Sequence, residues 1–186
     1  MRDEIESVLL ARSNIQKRVA QVARQIAAAE QTDSGDTELT IVPILTGSII
    51  FVADLIRHLP LRMQIHLISV HSYPGTATKS RGARIRQELT HPPENFHGRH
   101  VLIVDDILDS GSTLKLVRRV IEQRQPASIR TCVLLRKRRP QALAVPVDFV
   151  CFDIEDRFVV GYGLDYNDYY RNLPDIMVLR EDLGEG

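Results

Sequence analysis

An uninterrupted apolar run at residues 101–104, VLIV, restricts the possible folds of this chain more than any other feature. A strand without alternating polar residues has to be covered on both faces, as in a parallel sheet with helices on each side. Strand-like runs and helix-like stretches alternate around it. The pattern therefore predicts an α/β fold with a mostly parallel central sheet flanked by helices. The strand-like runs are residues 39–45, 65–70, 83–89, 129–135, 147–154, 158–164 and 176–179, and the helix-like stretches are residues 47–59 and 114–124.

Two further segments stand out from this alternation. Apolar residues recur at spacings of three and four from Ile5 to Ile26, which predicts an amphipathic N-terminal helix within residues 1–30. Residues 72–83 are polar and contain two glycines and a proline, so they are interpreted as a mobile lid loop.

Composition is that of an ordinary globular protein, with 44% hydrophobic and 26% charged residues among 186, which predicts one domain over residues 1–186. The two cysteines, Cys132 and Cys151, lie in apolar segments without metal-ligand spacing, as expected of reduced core thiols in the cytoplasm. The longest uncharged stretch is too short to cross a membrane.

Charge is balanced, with 24 basic and 24 acidic residues and a formal net charge of zero. A chain without net charge is not expected to bind nucleic acid or an anionic membrane surface. The dense basic run at residues 136–139, RKRR, is interpreted as part of a solvated loop.

The strongest functional signal lies at residues 101–114, VLIVDDILDSGSTL. The apolar strand is expected to end in two carboxylates, Asp105 and Asp106, before a short loop opens a helix. Backbone N–H groups at a helix N-terminus bind anions, and residues 110–113 add a glycine and three hydroxyl groups, so we call them the phosphate loop. Two carboxylates beside a phosphate require a ligand between them, and sugar hydroxyls or a divalent cation would fit.

This segment closely resembles the phosphoribosyl-diphosphate signature of type I phosphoribosyltransferases. Residues 133–140 and 147–179 resemble the C-terminal part of the hypoxanthine-guanine members of that family, and residues 44–55 and 69–75 resemble their pyrophosphate loop and mobile loop. The resemblance implies the type I fold with a small hood formed by the chain termini. It also implies transfer of the ribose phosphate of phosphoribosyl diphosphate to a 6-oxopurine, Mg²⁺ as cofactor, and a homodimer or homotetramer.

The resemblance also assigns a role to each matching position. Asp109 would be the general base at the purine imidazole ring, and Lys137 would donate to the purine 6-oxo group. Asp165 would help to bind magnesium. The remaining roles would be ribose binding by Asp105 and Asp106, 5′-phosphate binding by Ser110, Gly111, Ser112 and Thr113, purine binding by Phe158 and Val159, pyrophosphate binding by Thr46, Gly47 and Arg171, and lid closure by Ser72 and Tyr73.

One departure from the family pattern falls in the pyrophosphate loop. Family members commonly carry a lysine or arginine where this chain has Thr46. Threonine leaves that loop without its cation, although the backbone N–H of Gly47 can still donate to an anion.

Three alternatives remain open at the level of sequence. A regulator that senses phosphoribosyl diphosphate with the same fold should carry a basic face or an added DNA-binding domain. A transferase for adenine would meet an amino donor with the donor Lys137, which disfavours it. A binding protein without catalysis should lack Asp109.

Overall fold

The computed structural model describes residues 4–31, 38–71, 84–88 and 96–180. The predicted lid at residues 72–83, with Ser72 and Tyr73, lies outside these residues. The strands are β1 (Ile5–Leu10), β2 (Leu39–Leu45), β3 (Met63–Ile65), β4 (Ile68–His71), β5 (Arg84–Glu88), β6 (His100–Leu108), β7 (Ser128–Lys137), β8 (Phe149–Ile154), β9 (Val159–Val160) and β10 (Ile176–Leu179). The helices are α1 (Arg12–Gln31), α2 (Ile49–Ile56), α3 (Ser112–Glu122) and α4 (Pro140–Leu143).

A mostly parallel sheet forms the centre of the molecule, which confirms the predicted fold class. Its order is β5-β4-β2-β6-β7-β8, with β3 paired to β2. Strand β2 is parallel to β3, β4 and β6, and β7 is parallel to both β6 and β8. Only β5, at the edge of this described sheet, runs antiparallel to its neighbour β4.

Both faces of the sheet are buried, as the apolar run in β6 predicted. Helices α1 and α2 cover one face, where Ile15 and Phe51 pack with Leu102. Helix α3 covers the other face, where Val117 and Ile121 pack with Ile103. Consecutive residues of β6 therefore enter opposite cores, which explains why this strand has no polar alternation.

A second, three-stranded sheet joins the two ends of the chain in the order β1-β10-β9. Both pairings are antiparallel. Its strands come from the two ends of the chain, as in the hood that the family resemblance implied, and Val159 of β9 belongs to the core that contains Leu102 of the main sheet.

The N-terminal helix begins later than expected, because residues 5–10 form strand β1. Apolar residues at a helical spacing also occur there, but Val8 is 54% exposed, and Ile5 and Leu10 pair with Leu179 and Ile176 of β10. A strand partner so distant in the sequence cannot be recognised from the spacing of apolar residues. Helix α1 starts at Arg12, whose backbone N–H donates to Asp175 Oδ1 at 2.6 Å and thereby satisfies one of the free groups of the first turn.

Strand β6 also differs from the expectation, since it continues past the two carboxylates to Leu108. Asp105 pairs with Val133, and Leu108 pairs with Arg136. Aspartate is disfavoured in strands, but the ladder to β7 overrides that preference. Asp105 and Asp106 therefore lie within the strand, on a backbone fixed by the ladder to β7, rather than at its end.

Candidate active site

A pocket of about 640 Å³ opens at the carboxyl ends of the central strands. This is the edge at which ligands bind in open α/β sheets. It brings together residues from four separate segments: Thr46 and Gly47 after β2; Ser69 and Val70 in β4; Asp105, Asp106, Asp109, Ser110, Gly111 and Thr113 from β6 to α3; and Asp165, Asp168 and Arg171 after β9.

The phosphate loop forms the N-terminal end of α3. Gly111 caps the helix with a φ of 76°, a conformation that a residue with a side chain rarely adopts. A Cβ atom there would also lie 2.4 Å from Val145 Cγ2, so the position has room only for glycine. Ser110, Gly111 and Thr113 line the pocket, whereas Ser112 does not; its hydroxyl accepts from Ser110 Oγ at 3.0 Å.

Asp105 and Asp106 are adjacent carboxylates in a buried setting. Burial raises the pKa of Asp105 well above its ordinary value, and the charge and hydrogen bond of Asp106 raise it further. Burial also raises the pKa of Asp106, although its hydrogen bond to Asp105, backbone donors and the charge of Arg171 oppose the shift. Desolvated carboxylates of this kind gain from ligands that donate hydrogen bonds, such as sugar hydroxyls.

Gly47 and Gly163 let three segments of the pocket touch. A Cβ atom at position 47 would lie 1.6 Å from Asp106 Oδ2, and one at position 163 would lie 2.2 Å from the Gly47 carbonyl oxygen. The buried Ser48 hydroxyl donates to the Ile44 carbonyl at 2.6 Å and holds the turn after β2. The loop at residues 46–47 is therefore packed between β6 and the segment that carries Asp165.

Arg171 is held by two carboxylates at the rim of the pocket. Its Nη1 lies 2.8 Å from Asp165 Oδ1, and its Nη2 lies 3.0 Å from Asp168 Oδ1. The backbone N–H of Asp168 donates to Asp165 Oδ2 at 2.9 Å. Asp168 was not identified from the sequence, and its contacts show that Asp165 and Arg171 form one unit.

On the opposite side, Asp109 belongs to a ring of four charged side chains. Arg139 Nη1 donates to Asp109 Oδ1 at 2.6 Å, and the Lys137 ammonium lies 3.4 Å from Asp109 Oδ2 and 3.2 Å from Asp156 Oδ1. Arg139 Nε donates to Asp156 Oδ2, which completes the ring, and this hydrogen bond lowers the pKa of Asp156. We call these four residues the charge ring.

A second cavity, of about 390 Å³, lies beside the charge ring. It is lined by Asp109, Ser110, Arg139, Gln141 and Asp156. Asp109 and Ser110 also line the first pocket, so the two cavities share a wall at the predicted base.

The interpretation of residues 136–139 as a solvated basic loop is wrong. Arg136 and Lys137 lie in β7, and all four residues pair with acidic residues at or just after the end of β8. Arg136 pairs with Asp153, Arg138 with Glu155, and Arg139 with Asp156, each separated by 17 residues, and Lys137 also pairs with Asp156. The matching order of charges in RKRR and DIED was a signal in the sequence that could have revealed the two parallel strands.

None of the three predicted purine contacts, Lys137, Phe158 and Val159, lines either cavity. Phe158 is 38% exposed and packs edge-on against Tyr166, with ring centroids 5.6 Å apart. Val159 is buried at the start of β9. Phe158 is thus available as a surface for a ligand, but the described residues do not bring it into either cavity.

The described part of the chain holds neither a metal cage nor a membrane span. It contains no group of three or more His, Cys, Asp or Glu side chains arranged to hold a metal ion. None of its helices is both long and apolar enough to cross a bilayer.

Comparisons with known proteins agree with this geometry. Residues 11–167 match the family model of the phosphoribosyl transferase domain. The hypoxanthine-guanine phosphoribosyltransferase of Streptococcus pneumoniae is 37% identical over 98% of each chain. The hypoxanthine phosphoribosyltransferase of Escherichia coli is 39% identical over 91% of this chain and 92% of its own. A point mutant of the Trypanosoma cruzi hypoxanthine phosphoribosyltransferase, solved as a ternary substrates complex, superposes with a TM-score of 0.85 at 36% identity, covering 98% of this chain and 99% of that one.

Proposed function

This chain belongs to the phosphoribosyl transferase family, among its hypoxanthine and hypoxanthine-guanine phosphoribosyltransferases, and we propose from this how its residues share the reaction. It is a purine salvage transferase, which converts hypoxanthine or guanine and phosphoribosyl diphosphate to IMP or GMP and pyrophosphate. One observation carries the assignment of roles: Asp109 stands at the shared wall of two cavities, with the phosphate loop on one side and Lys137 on the other.

The sugar phosphate occupies the first pocket. The phosphate loop holds the 5′-phosphate through the N-terminal backbone groups of α3, including that of Ser112, and through the hydroxyls of Ser110 and Thr113, which line the pocket. Asp105 and Asp106 accept hydrogen bonds from the ribose hydroxyls. Positive charge develops on the sugar as pyrophosphate leaves, and these two carboxylates stabilise it.

The purine lies next to the charge ring. Asp109 takes the proton from the imidazole ring of the base as a ring nitrogen bonds to the anomeric carbon and the bond from that carbon to pyrophosphate breaks. Lys137 donates to the 6-oxo group and can only donate, which selects 6-oxopurines over adenine. Phe158 supplies a stacking surface, and the backbone of Val159 meets the edge of the base.

The leaving group needs more positive charge than the described pocket offers. Five of the six charged residues that line it are aspartates, and the sixth is Arg171. Magnesium fits this arrangement, because it prefers oxygen ligands and is commonly held through substrate phosphates and one carboxylate, here Asp165. When bound, Mg²⁺ neutralises the charge that builds up on the departing diphosphate. Thr46, Gly47 and Arg171 contact that group from the protein side.

We further propose that residues 1–186 form one domain, that the protein works in the cytoplasm, and that it assembles as a homodimer or homotetramer. Two reduced, buried cysteines are consistent with that compartment. Light scattering on the purified protein measures the assembly directly.

A product assay tests the proposed roles. Purified protein with Mg²⁺ and phosphoribosyl diphosphate is given hypoxanthine, guanine or xanthine in turn, and nucleotide and pyrophosphate are measured. Asp109→Asn should lower kcat roughly 10²- to 10⁴-fold, the usual contribution of general base catalysis, with binding of phosphoribosyl diphosphate nearly unchanged. An Asp109→Asn variant with full turnover would show that another group takes the proton.

A further inference from the structure

We propose that Arg139 is a positioning residue for Asp109 and holds its carboxylate while Lys137 moves to the purine. This inference rests on the proposed roles of Asp109 and Lys137. It adds to them a residue from outside the predicted site.

The two cations that touch Asp109 differ in contact length. Arg139 Nη1 lies 2.6 Å from Oδ1, which is a short charge-assisted hydrogen bond, whereas the Lys137 ammonium is 3.4 Å from Oδ2. When a 6-oxopurine enters, Lys137 exchanges its long contact for the oxo group. The Arg139 bond remains, so Oδ1 stays fixed and Oδ2 is released toward the ring proton.

The guanidinium of Arg139 is itself fixed at a second point. Its Nε donates to Asp156 Oδ2, in the segment after β8, while Nη1 holds Asp109 in the segment after β6. A planar guanidinium keeps these donors at a constant separation and angle, which the single ammonium of lysine cannot do. Arg139 therefore links Asp109, whose side chain is 41% exposed, to the segment that follows β8.

The backbone of Arg139 is also restrained. It precedes Pro140, which disfavours the helical region for the preceding residue, and it adopts φ −106° and ψ 144° as the cap of α4. The side chain thus leaves the backbone in a set direction between β7 and α4, where it lines the second cavity.

Arg138 provides a matched control one position earlier. It pairs with Glu155 in the same way, through Nη1 at 2.6 Å, but its side chain is 57% exposed and it lines neither cavity. If only the total charge of this segment mattered, removing either arginine should change kcat equally. A positioning role should appear only at Arg139.

The test compares Arg139→Met, Arg139→Lys and Arg138→Met with the wild-type protein, using hypoxanthine at saturating Mg²⁺. Arg139→Met should lower kcat about tenfold, equivalent to ~1.4 kcal/mol of activation free energy, with the KM for phosphoribosyl diphosphate unchanged. Arg139→Lys should give an intermediate kcat because it restores the charge but not the two-point bridge. Arg138→Met should behave as wild type, and melting temperatures of all three confirm that each is folded.

A double-mutant comparison separates this proposal from the proposed function. In an Asp109→Asn background, Arg139→Met should cause no further loss, because the residue that it positions no longer acts as a base. The proposal is overturned if Arg139→Met matches Arg138→Met, if Arg139→Lys has wild-type kcat, or if the loss at Arg139 is the same in both backgrounds. If Asp109→Asn itself keeps full turnover, the base assignment fails first and the role of Arg139 fails with it.

Discussion

Gly47 lies against the carboxylate of Asp106 so closely that a Cβ atom at position 47 would be 1.6 Å from Asp106 Oδ2. The two residues belong to different segments, since Gly47 comes after β2 and Asp106 lies in β6. Asp106 cannot easily move aside, because its Oδ1 accepts the backbone N–H of Ile107 at 2.8 Å. The proposed pyrophosphate loop and the proposed ribose carboxylates are therefore joined by direct contact.

Gly47→Ala should lower kcat/KM for phosphoribosyl diphosphate by about 10²-fold, because the new methyl group displaces either the loop or the Asp106 carboxylate from the reacting geometry. Steady-state kinetics with varied phosphoribosyl diphosphate measure this loss. Gly98→Ala is the control: no atom lies within 4 Å of its Cβ position, but its φ of +72° is unfavourable for alanine. It should lower the melting temperature and keep wild-type kinetics. Wild-type kinetics in Gly47→Ala would contradict the contact.

Lys137→Ala should change the choice of base. The side chain is only 9% exposed and lies between Asp109 and Asp156. Its ammonium can donate hydrogen bonds but cannot accept them. The wild type should prefer 6-oxopurines to adenine by about 10⁴-fold, the scale of a buried polar mismatch. Lys137→Ala should lose most activity toward hypoxanthine and guanine and narrow the gap to adenine.

Comparison of kcat/KM for hypoxanthine, guanine and adenine measures this change, with Lys115→Ala on the exposed face of α3 as a charge-matched control. A wild-type preference for adenine would refute the assigned purine pocket. So would an unchanged hypoxanthine value in Lys137→Ala.

Thr46→Lys should tighten binding of phosphoribosyl diphosphate. Thr46 lines the pocket, and the one described arginine there already pairs with Asp165 and Asp168. A new cation in a partly exposed setting contributes ~1 kcal/mol. The gain should be larger at low Mg²⁺ and should shrink as salt is added.

Calorimetric titration of phosphoribosyl diphosphate into Thr46→Lys and Thr46→Met distinguishes the new charge from the longer side chain. Equal affinities for the two variants would mean that position 46 does not face the diphosphate.

Asp105→Asn should abolish transfer activity and raise the folding stability at neutral pH. Burial and the charge of Asp106 raise the pKa of Asp105, so the folded protein keeps this proton at pH values where the unfolded chain has released it. Folding stability therefore declines as the pH rises from the ordinary aspartate pKa of about 3.9 toward the raised value, and it stays lower above that value. Removing the ionisable group removes this cost.

Melting temperatures measured from pH 4 to pH 8 should show Asp105→Asn above wild type at neutral pH, with the difference shrinking toward acid, while transfer activity is lost. Asp153→Asn should behave in the opposite way. Its hydrogen bond to Arg136 lowers the pKa of Asp153, so this carboxylate stabilises the fold at neutral pH and less so in acid. If Asp105→Asn melts lower than wild type at every pH, the carboxylate has a structural role that outweighs its burial.

The sequence alone determined the sheet class and the reaction. The unbroken apolar run of β6 required a cover on both faces. Residues 105–113 place three carboxylates and the phosphate loop in one continuous segment that leads from a strand to a helix. These features depend on neighbours along the chain, so local pattern and family resemblance were sufficient to identify them.

Only the tertiary structure decided the contacts between distant segments. Residues 5–10 form a strand because β10 pairs with them, and no local periodicity encodes that partner. Arg139 contacts Asp109 because β7 lies beside β6 in a parallel register. Without that pairing, the basic run at residues 136–139 indicates only a solvated loop. Gly47 contacts Asp106 for the same physical reason: the carboxyl ends of strands far apart in the chain converge at one edge of the sheet, where packing sets the distances between them.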